Sequence, residues 1–216
     1  MFSTIIIYIS ALVFILICLS FAWRLLSNRQ ELPCPSWLGW LVERDNPFTK
    51  TNQSAFIIKR LQLEAGMHVL DAGCGPGRLT IPIAKEIGPQ GKVTALDIQA
   101  DMLERVKAKA KNSKLDNIDY LQSKIGDGNL QHCLYDRALL ITVLGEIPKR
   151  EEALKEIFYA LKPGGILLIT EIIFDPHFQK KSTVLSLINK VGFQEIDTTG
   201  GSLAYNMLLK KPPENE

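Results

Sequence analysis

The sequence predicts an α/β protein: a largely parallel sheet with helices on both faces. Three observations lead there. Five times over, a short apolar run is followed by a segment with apolar residues at helical spacing, and such alternation packs as a parallel sheet between two helical layers. One of these junctions, Met67 to Gly77, reads MHVLDAGCGPG, the pattern of a buried strand entering a glycine turn at the start of a helix. The chain then closes on two apolar runs around Gly200-Gly201, which read as a hairpin adding an antiparallel strand at one side.

The glycine junction carries the most chemistry. Val69 and Leu70 end in Asp71, and Gly73, Gly75 and Gly77 then alternate with Cys74 and Pro76. Glycines in such a turn tolerate positive φ and let a ligand approach bare backbone. The amides of the helix start point at whatever lies above the turn. A dinucleotide fingerprint would place a third glycine where Arg78 stands, which speaks against a nicotinamide cofactor. Further on, the apolar run KVTALD ends in Asp97, and an acidic residue at the tip of the second strand is where doubly wound folds grip a ribose diol.

Taken from the start, Phe2 through Trp23 holds no charged residue. Ile5 to Trp23 would span about 28 Å as a helix, close to a bilayer's hydrocarbon core. Tyr8 and Trp23 suit its two interfaces, and Arg24 and Arg29 follow it. The expectation is a transmembrane anchor over residues 1–27, with the positive-inside rule placing the rest of the protein in the cytoplasm. Residues 28–50 read as a linker carrying Pro33, Pro35 and Pro47. Within it Trp37, Trp40 and Leu41 share one face of a short helix, which either lies on the membrane or packs on the domain that follows.

The domain at 51–216 opens with a helix near Thr51 or Asn52 that turns Phe56, Ile57 and Leu61 inward. After the glycine turn, Leu79, Ile83 and Ile87 line a helix in which Pro82 is tolerable only in the first turn. The second strand, Val93 to Asp97, leads to a helix near Ala100 to Lys111 that buries Met102, Leu103, Val106 and Ala110. Strand three is Ile118 to Gln122, and its following loop sets Asp127 between Gly126 and Gly128. Strand four is the run DRALLITVL, closed by Gly145-Glu146. A helix from about Glu151 to Leu161 meets the turn signal Lys162-Pro163-Gly164-Gly165, and GILLITEII is the fifth strand. Beyond the break at Asp175-Pro176 a helix exposes the apolar set Val184, Leu187, Ile188 and Val191, and Gly192 ends it before the closing hairpin.

Composition excludes several functions. A formal net charge of +2 over 216 residues, with no Lys/Arg stripe, gives no nucleic-acid footprint. Cys18, Cys34, Cys74 and Cys133 form no CxxC pair, so neither a metal site nor a disulfide framework is expected.

Asp71-Ala72-Gly73-Cys74-Gly75-Pro76-Gly77, Asp97, Gly126-Asp127 and the Leu161-to-Gly165 turn together resemble class I S-adenosylmethionine (SAM)-dependent methyltransferases. The likeness runs from Thr51 to Lys211 and, within the class, is greatest to the ubiquinone/menaquinone and phospholipid branch. It implies a doubly wound, Rossmann-like seven-stranded sheet in the order 3-2-1-4-5-7-6 with the seventh strand antiparallel, here joined to one N-terminal transmembrane helix. It also implies that the backbone of Gly73, Cys74, Gly75 and Gly77 holds the methionine part of SAM while Asp71 orders the turn and faces the amino group. By the same resemblance Asp97 accepts the ribose hydroxyls, Ile98 lies along the adenine, Asp127 beside Gly126 meets the adenine amino group, and the run from Thr142 to Leu144 is the floor below the sulfonium.

Methyl transfer from a sulfonium is an in-line displacement that depends mostly on positioning. A base is needed only if the acceptor loses a proton, and the candidates at strand ends are Glu146, Glu171 and His177. The resulting expectation is a membrane-anchored SAM-dependent methyltransferase for a lipid-soluble acceptor, either a quinone precursor or a phospholipid headgroup. A methyltransferase for a membrane-associated protein and a catalytically silent SAM-binding module are the alternatives the residues leave open.

Overall fold

Strands of this chain are short apolar runs hemmed by glycine and proline, and each one that is buried on both faces must lie between helices. The computed structural model describes residues 43–45 and 49–213, together with 6–8, 10–11 and 14–15. A 3-10 turn at Lys50–Asn52 leads into α1 (Ser54–Leu61), then β1 (His68–Ala72), α2 (Thr80–Ile87), β2 (Lys92–Asp97), α3 (Ala100–Asn112) and β3 (Ile118–Gln122). There follow β4 (Tyr135–Ile141), a 3-10 turn at Leu144–Glu146, α4 (Arg150–Ala160), β5 (Leu161–Ile172), α5 (Lys181–Val191), β6 (Gln194–Gly200) and β7 (Ala204–Lys210).

The seven strands form one sheet in the order β3-β2-β1-β4-β5-β7-β6, as the resemblance implies. Strands β1 to β5 pair in parallel, and β7 runs antiparallel to both β5 and β6. Successive side chains on each strand alternate between two cores. On one face Val69, Ala95, Leu139 and Leu168 pack with α1, α2 and α3 through Ile57, Ile83, Leu103 and Val106. On the other, Leu70, Leu140, Ile169 and Met207 pack with α4 and α5 through Leu154, Ile157, Val184 and Ile188. The glycine turn and the ends of β2, β4 and β5 all emerge at the carboxyl edge of this sandwich, where ligands bind in open α/β sheets.

Two elements depart from the sequence reading. The Lys162-to-Gly165 turn lies inside β5, where the register against β4 shifts and Gly164 and Gly165 exchange backbone hydrogen bonds with Lys211. Strand β4 stops at Ile141, before the apolar run ends, because Thr142 takes φ +56°.

The expected membrane anchor is corrected. Among the described residues no helix is long and apolar enough to cross a membrane, and the single-pass localisation is withdrawn on that finding. Most of residues 1–27 and of the linker, Trp37 and Trp40 included, lie outside the described residues.

Candidate functional site

Asp71 and Asp97 stand at the ends of neighbouring strands, in step with Val69 and Ala95, so both side chains lie toward the α1–α3 face. Asp71 is buried and accepts the Thr80 hydroxyl at 2.6 Å, which ties β1 to the first turn of α2. Burial pushes its carboxyl up to about 6, against the hydrogen bond from Thr80 and the charge of Arg78. Asp97 accepts the Gly75 N–H at 2.8 Å on one oxygen and the Gln99 N–H at 2.9 Å on the other. Burial raises its carboxyl too.

The turn itself is held from below. Gly73 and Cys74 both donate to the Leu96 carbonyl, at 2.8 and 2.9 Å, and Gly77 donates to Cys74 at 3.1 Å. The Cys74 thiol is buried in the α1–α3 core and donates to the Gly75 carbonyl at 3.5 Å. Above Gly75 there is room, because a Cβ placed there would meet no atom within 4 Å. Ile98, 43% exposed, offers an apolar flank beside Asp97. Two carboxylates, open space over bare backbone and an apolar flank suit a group that brings hydroxyls, an ammonium, a sulfonium and a flat base. SAM is such a group, and these residues fit it.

The loop after β3 begins where Ser123 donates its N–H to the Asp97 carbonyl at 3.2 Å. Glu156 on α4 shapes the rest by accepting the N–H groups of Gly126 and Leu130, and Asp127 is exposed at the tip.

Thr142 marks the end of β4. Its N–H still donates to Thr170 on β5 at 2.8 Å while its hydroxyl donates to the Ile141 carbonyl at 2.7 Å. A β-branched residue in the left-handed region is strained, and such strain persists only where the surroundings over-determine it. Here both neighbours do. A Cβ on Gly73 would lie 2.5 Å from Val143 Cγ2, and one on Gly145 would lie 1.9 Å from the His177 carbonyl oxygen. Residues 142–146 are thus wedged between the glycine turn and the loop that follows β5.

That loop brings the three candidate bases together. His177 Nδ1 lies 4.0 Å from Glu146 Oε1 and 3.7 Å from Asp175 Oδ1, and Asp175 accepts the His177 N–H at 2.7 Å. Arg150 buttresses the group from α4, donating to the carbonyls of Leu144 and Gly145 at 3.1 and 2.8 Å. Glu171 is 1% exposed; one oxygen accepts the Gln179 N–H at 2.9 Å and the other has no hydrogen-bond partner. Burial pushes its carboxyl up to about 8, Asp175 and Glu146 add to this, and Gln179 and Arg150 oppose it. Among the described residues no group of three or more His, Cys, Asp or Glu side chains is arranged to hold a metal ion.

A carboxyl raised on folding stabilises the native state most below its unfolded value and loses that contribution as pH rises toward its folded value. For Glu171 the window runs from 4.5 to about 8, with a slope of up to about 1.4 kcal/mol per pH unit. Glu171→Gln keeps the neutral shape and removes the titration. Urea unfolding is expected to find variant and wild type alike near the lower bound, with the variant gaining on wild type as pH approaches the upper one.

The structure therefore gathers the predicted residues into two groups. Asp71, Gly73, Gly75, Asp97 and Ile98 surround the turn, while Glu146 in the loop after β4, Glu171 at the end of β5 and His177 in the loop after it lie together. Sequence reasoning missed Thr80, Glu156, Asp175 and Gln179, each of which holds a predicted residue or its loop in place. Asp175-Pro176, visible only as a break, was the one local signal among them.

A family model described as a methyltransferase domain matches residues 63–209. The demethylmenaquinone methyltransferase of Lactococcus lactis is 36% identical over 114 residues, covering 53% of this chain and 45% of that protein. Its namesake in Lactobacillus johnsonii is 35% identical over 118 residues, covering 52% and 47%. The chain spans about half the length of these relatives. Among solved structures, a SAM-dependent methyltransferase from Aquifex aeolicus superposes with a TM-score of 0.73 at 20% identity, over 82% of this chain and 99% of that one. A Haemonchus contortus N-methyltransferase solved with phosphomonomethylethanolamine and S-adenosylhomocysteine reaches 0.68 at 16% identity, over 82% and 56%. At such identities the structural likeness speaks for the fold.

Proposed function

The chain belongs to the methyltransferase-domain family, and on that footing we propose that it methylates a hydrophobic small-molecule acceptor of the demethylmenaquinone kind, with SAM as donor. The observation that carries this reading is the identity of up to 36%, over about half of each chain, to proteins named for that acceptor. The phospholipid-headgroup alternative has support only at the level of fold.

When bound, SAM supplies a methyl group already activated by its sulfonium. The chain's residues then have positioning to do and one proton to move. Asp97 takes the ribose hydroxyls on the lone pairs left free by Gly75 and Gln99, and Ile98 covers the base. The bare backbone at Gly75 admits the methionine portion, and Asp71 holds the turn through Thr80. Thr142 and Val143 close the floor beneath the reacting methyl. An acceptor that must lose a proton in taking the methyl group would hand it to a base of this chain.

Glu146 is that base in this reading. Its side chain is 22% exposed against 5% for His177, so an acceptor reaches Glu146 first while His177 and Asp175 stand behind it. Glu171, neutral over most of the physiological range, keeps the loop closed through Gln179. Glu146→Gln is expected to lower kcat by about 10²-fold, the lower end for loss of a general base, with SAM affinity unchanged.

The reading is tested by incubating the chain with methyl-labelled SAM and demethylmenaquinol, and following label and mass in the extracted quinone. A gain of one methyl group supports it. Label confined to protein, or SAM binding with no turnover, overturns it.

A further inference from the structure

Arg78 occupies the place where a dinucleotide fold would have glycine, and the structure gives it a task. Its Nη1 donates to Asp45 Oδ1 and to the Asn52 carbonyl, both at 2.7 Å, and its Nη2 donates to Asn52 Oδ1 at 3.0 Å. Asp45 in turn accepts the N–H and the hydroxyl of Ser54, at 3.0 and 2.7 Å. On the other side of the turn, Lys109 of α3 donates to the Pro76 carbonyl at 2.6 Å and pairs with Glu43 at 2.5 Å. Pro76 lies between Gly75 and Gly77, and Arg78 follows directly. Lys109 thus grips the turn and Arg78 anchors the residue that follows it, and both cations are held by carboxylates that precede α1. A cavity of about 450 Å³, lined by Glu43, Asp45, Gly77, Arg78 and Lys109 among others, separates the two arms.

We infer that Arg78 and Lys109 are positioning residues for the SAM-binding turn, and that Glu43 and Asp45 clasp them so that seating of the residues before α1 sets SAM affinity. The turn's own amides are spent on Leu96, Cys74 and Asp97, so its outer carbonyl depends on Lys109 for a partner. The arms are half-exposed: Arg78 and Asp45 side chains are 13% and 42% accessible, and Lys109 and Glu43 are 29% and 40%. Isolated surface pairs contribute little, but cations that also bond backbone carbonyls act as a network. Because the arms reach solvent, salt should weaken the clasp.

The test is calorimetric titration of the full chain with SAM, at low and at high ionic strength. The double variant E43Q/D45N should bind SAM about tenfold more weakly at low salt, and its affinity should hardly change with salt while that of wild type falls. At saturating SAM its kcat should match wild type, because the acceptor groups are untouched. SAM affinity within twofold of wild type, or an unchanged salt dependence, overturns the inference. Urea unfolding guards against mere misfolding: Lys109→Met, which takes the donor away from the Pro76 carbonyl, should weaken SAM binding at both ionic strengths. A Lys109→Met protein that unfolds at the wild-type midpoint and binds SAM as wild type does also overturns it.

Discussion

Asp97→Ala is expected to weaken SAM binding by about 10³-fold, with little loss of stability. The carboxylate does two things at once. Toward the protein it accepts the Gly75 and Gln99 N–H groups, which fixes the middle glycine of the turn against the tip of β2. Toward the ligand, in the role proposed above, its remaining lone pairs would accept the ribose diol. Charge-assisted hydrogen bonds contribute about 1.5–3 kcal/mol each, so the diol alone accounts for roughly two to four powers of ten. The native state loses less, because the two freed N–H groups are only part-buried and water replaces the carboxylate. Asp97→Asn separates the roles: one carbonyl oxygen survives, so affinity should fall between wild type and alanine. Titration calorimetry reads both variants, and affinity within threefold of wild type in the alanine variant would remove Asp97 from the cofactor site.

Much of this geometry is local and so is visible in the chain before it folds. A strand, three alternating glycines and a helix start are contiguous, and Asp97 is placed by the length of one strand–helix unit. The grouping of Glu146, Glu171 and His177 was visible less directly. They follow strands that the family order makes neighbours, so their loops had to meet, but nothing in the sequence told how deeply each would be buried. What could not be read is non-local. Arg78 looked like a missing glycine because its partners Asp45 and Asn52 lie 33 and 26 positions away. Nothing in the sequence sets Glu156 apart, because the loop it caps comes 26 to 30 positions earlier. The Lys162-to-Gly165 turn was read as a stop, and only Lys211, at the far end of the chain, makes it part of β5. Thr142 belongs with these: an apolar run continues through it, and the left-handed backbone that ends β4 is imposed by packing on either side.

That packing gives Gly73→Ala a large structural effect. Gly73 has φ +74°, and a Cβ there would lie 2.5 and 2.7 Å from the two γ-methyl carbons of Val143, against about 3.5–4.0 Å for a normal carbon contact. Valine is stiff at χ1 and cannot swing both methyls aside. The left-handed backbone costs about 1–2 kcal/mol and overpacking about 1–3 kcal/mol, so a loss of roughly 2–5 kcal/mol is expected in urea unfolding. Relaxing the clash means pushing Val143 outward, which shifts the segment wedged between the glycine turn and His177; in the proposed site that segment is the floor, so SAM affinity and turnover should fall with stability. Adding Val143→Ala removes the steric part and leaves the backbone part, so G73A/V143A should recover about half of the stability lost by G73A alone. Gly75→Ala makes the opposite case. No atom lies within 4 Å of a Cβ placed there, so only the backbone cost of about 1–2 kcal/mol applies, while the added methyl would stand in the space proposed for the cofactor. A Gly75→Ala protein that folds almost normally but has lost SAM, beside a Gly73→Ala protein that has lost both, would show that the turn's glycines serve two purposes: the first makes room for the protein, the second for its ligand.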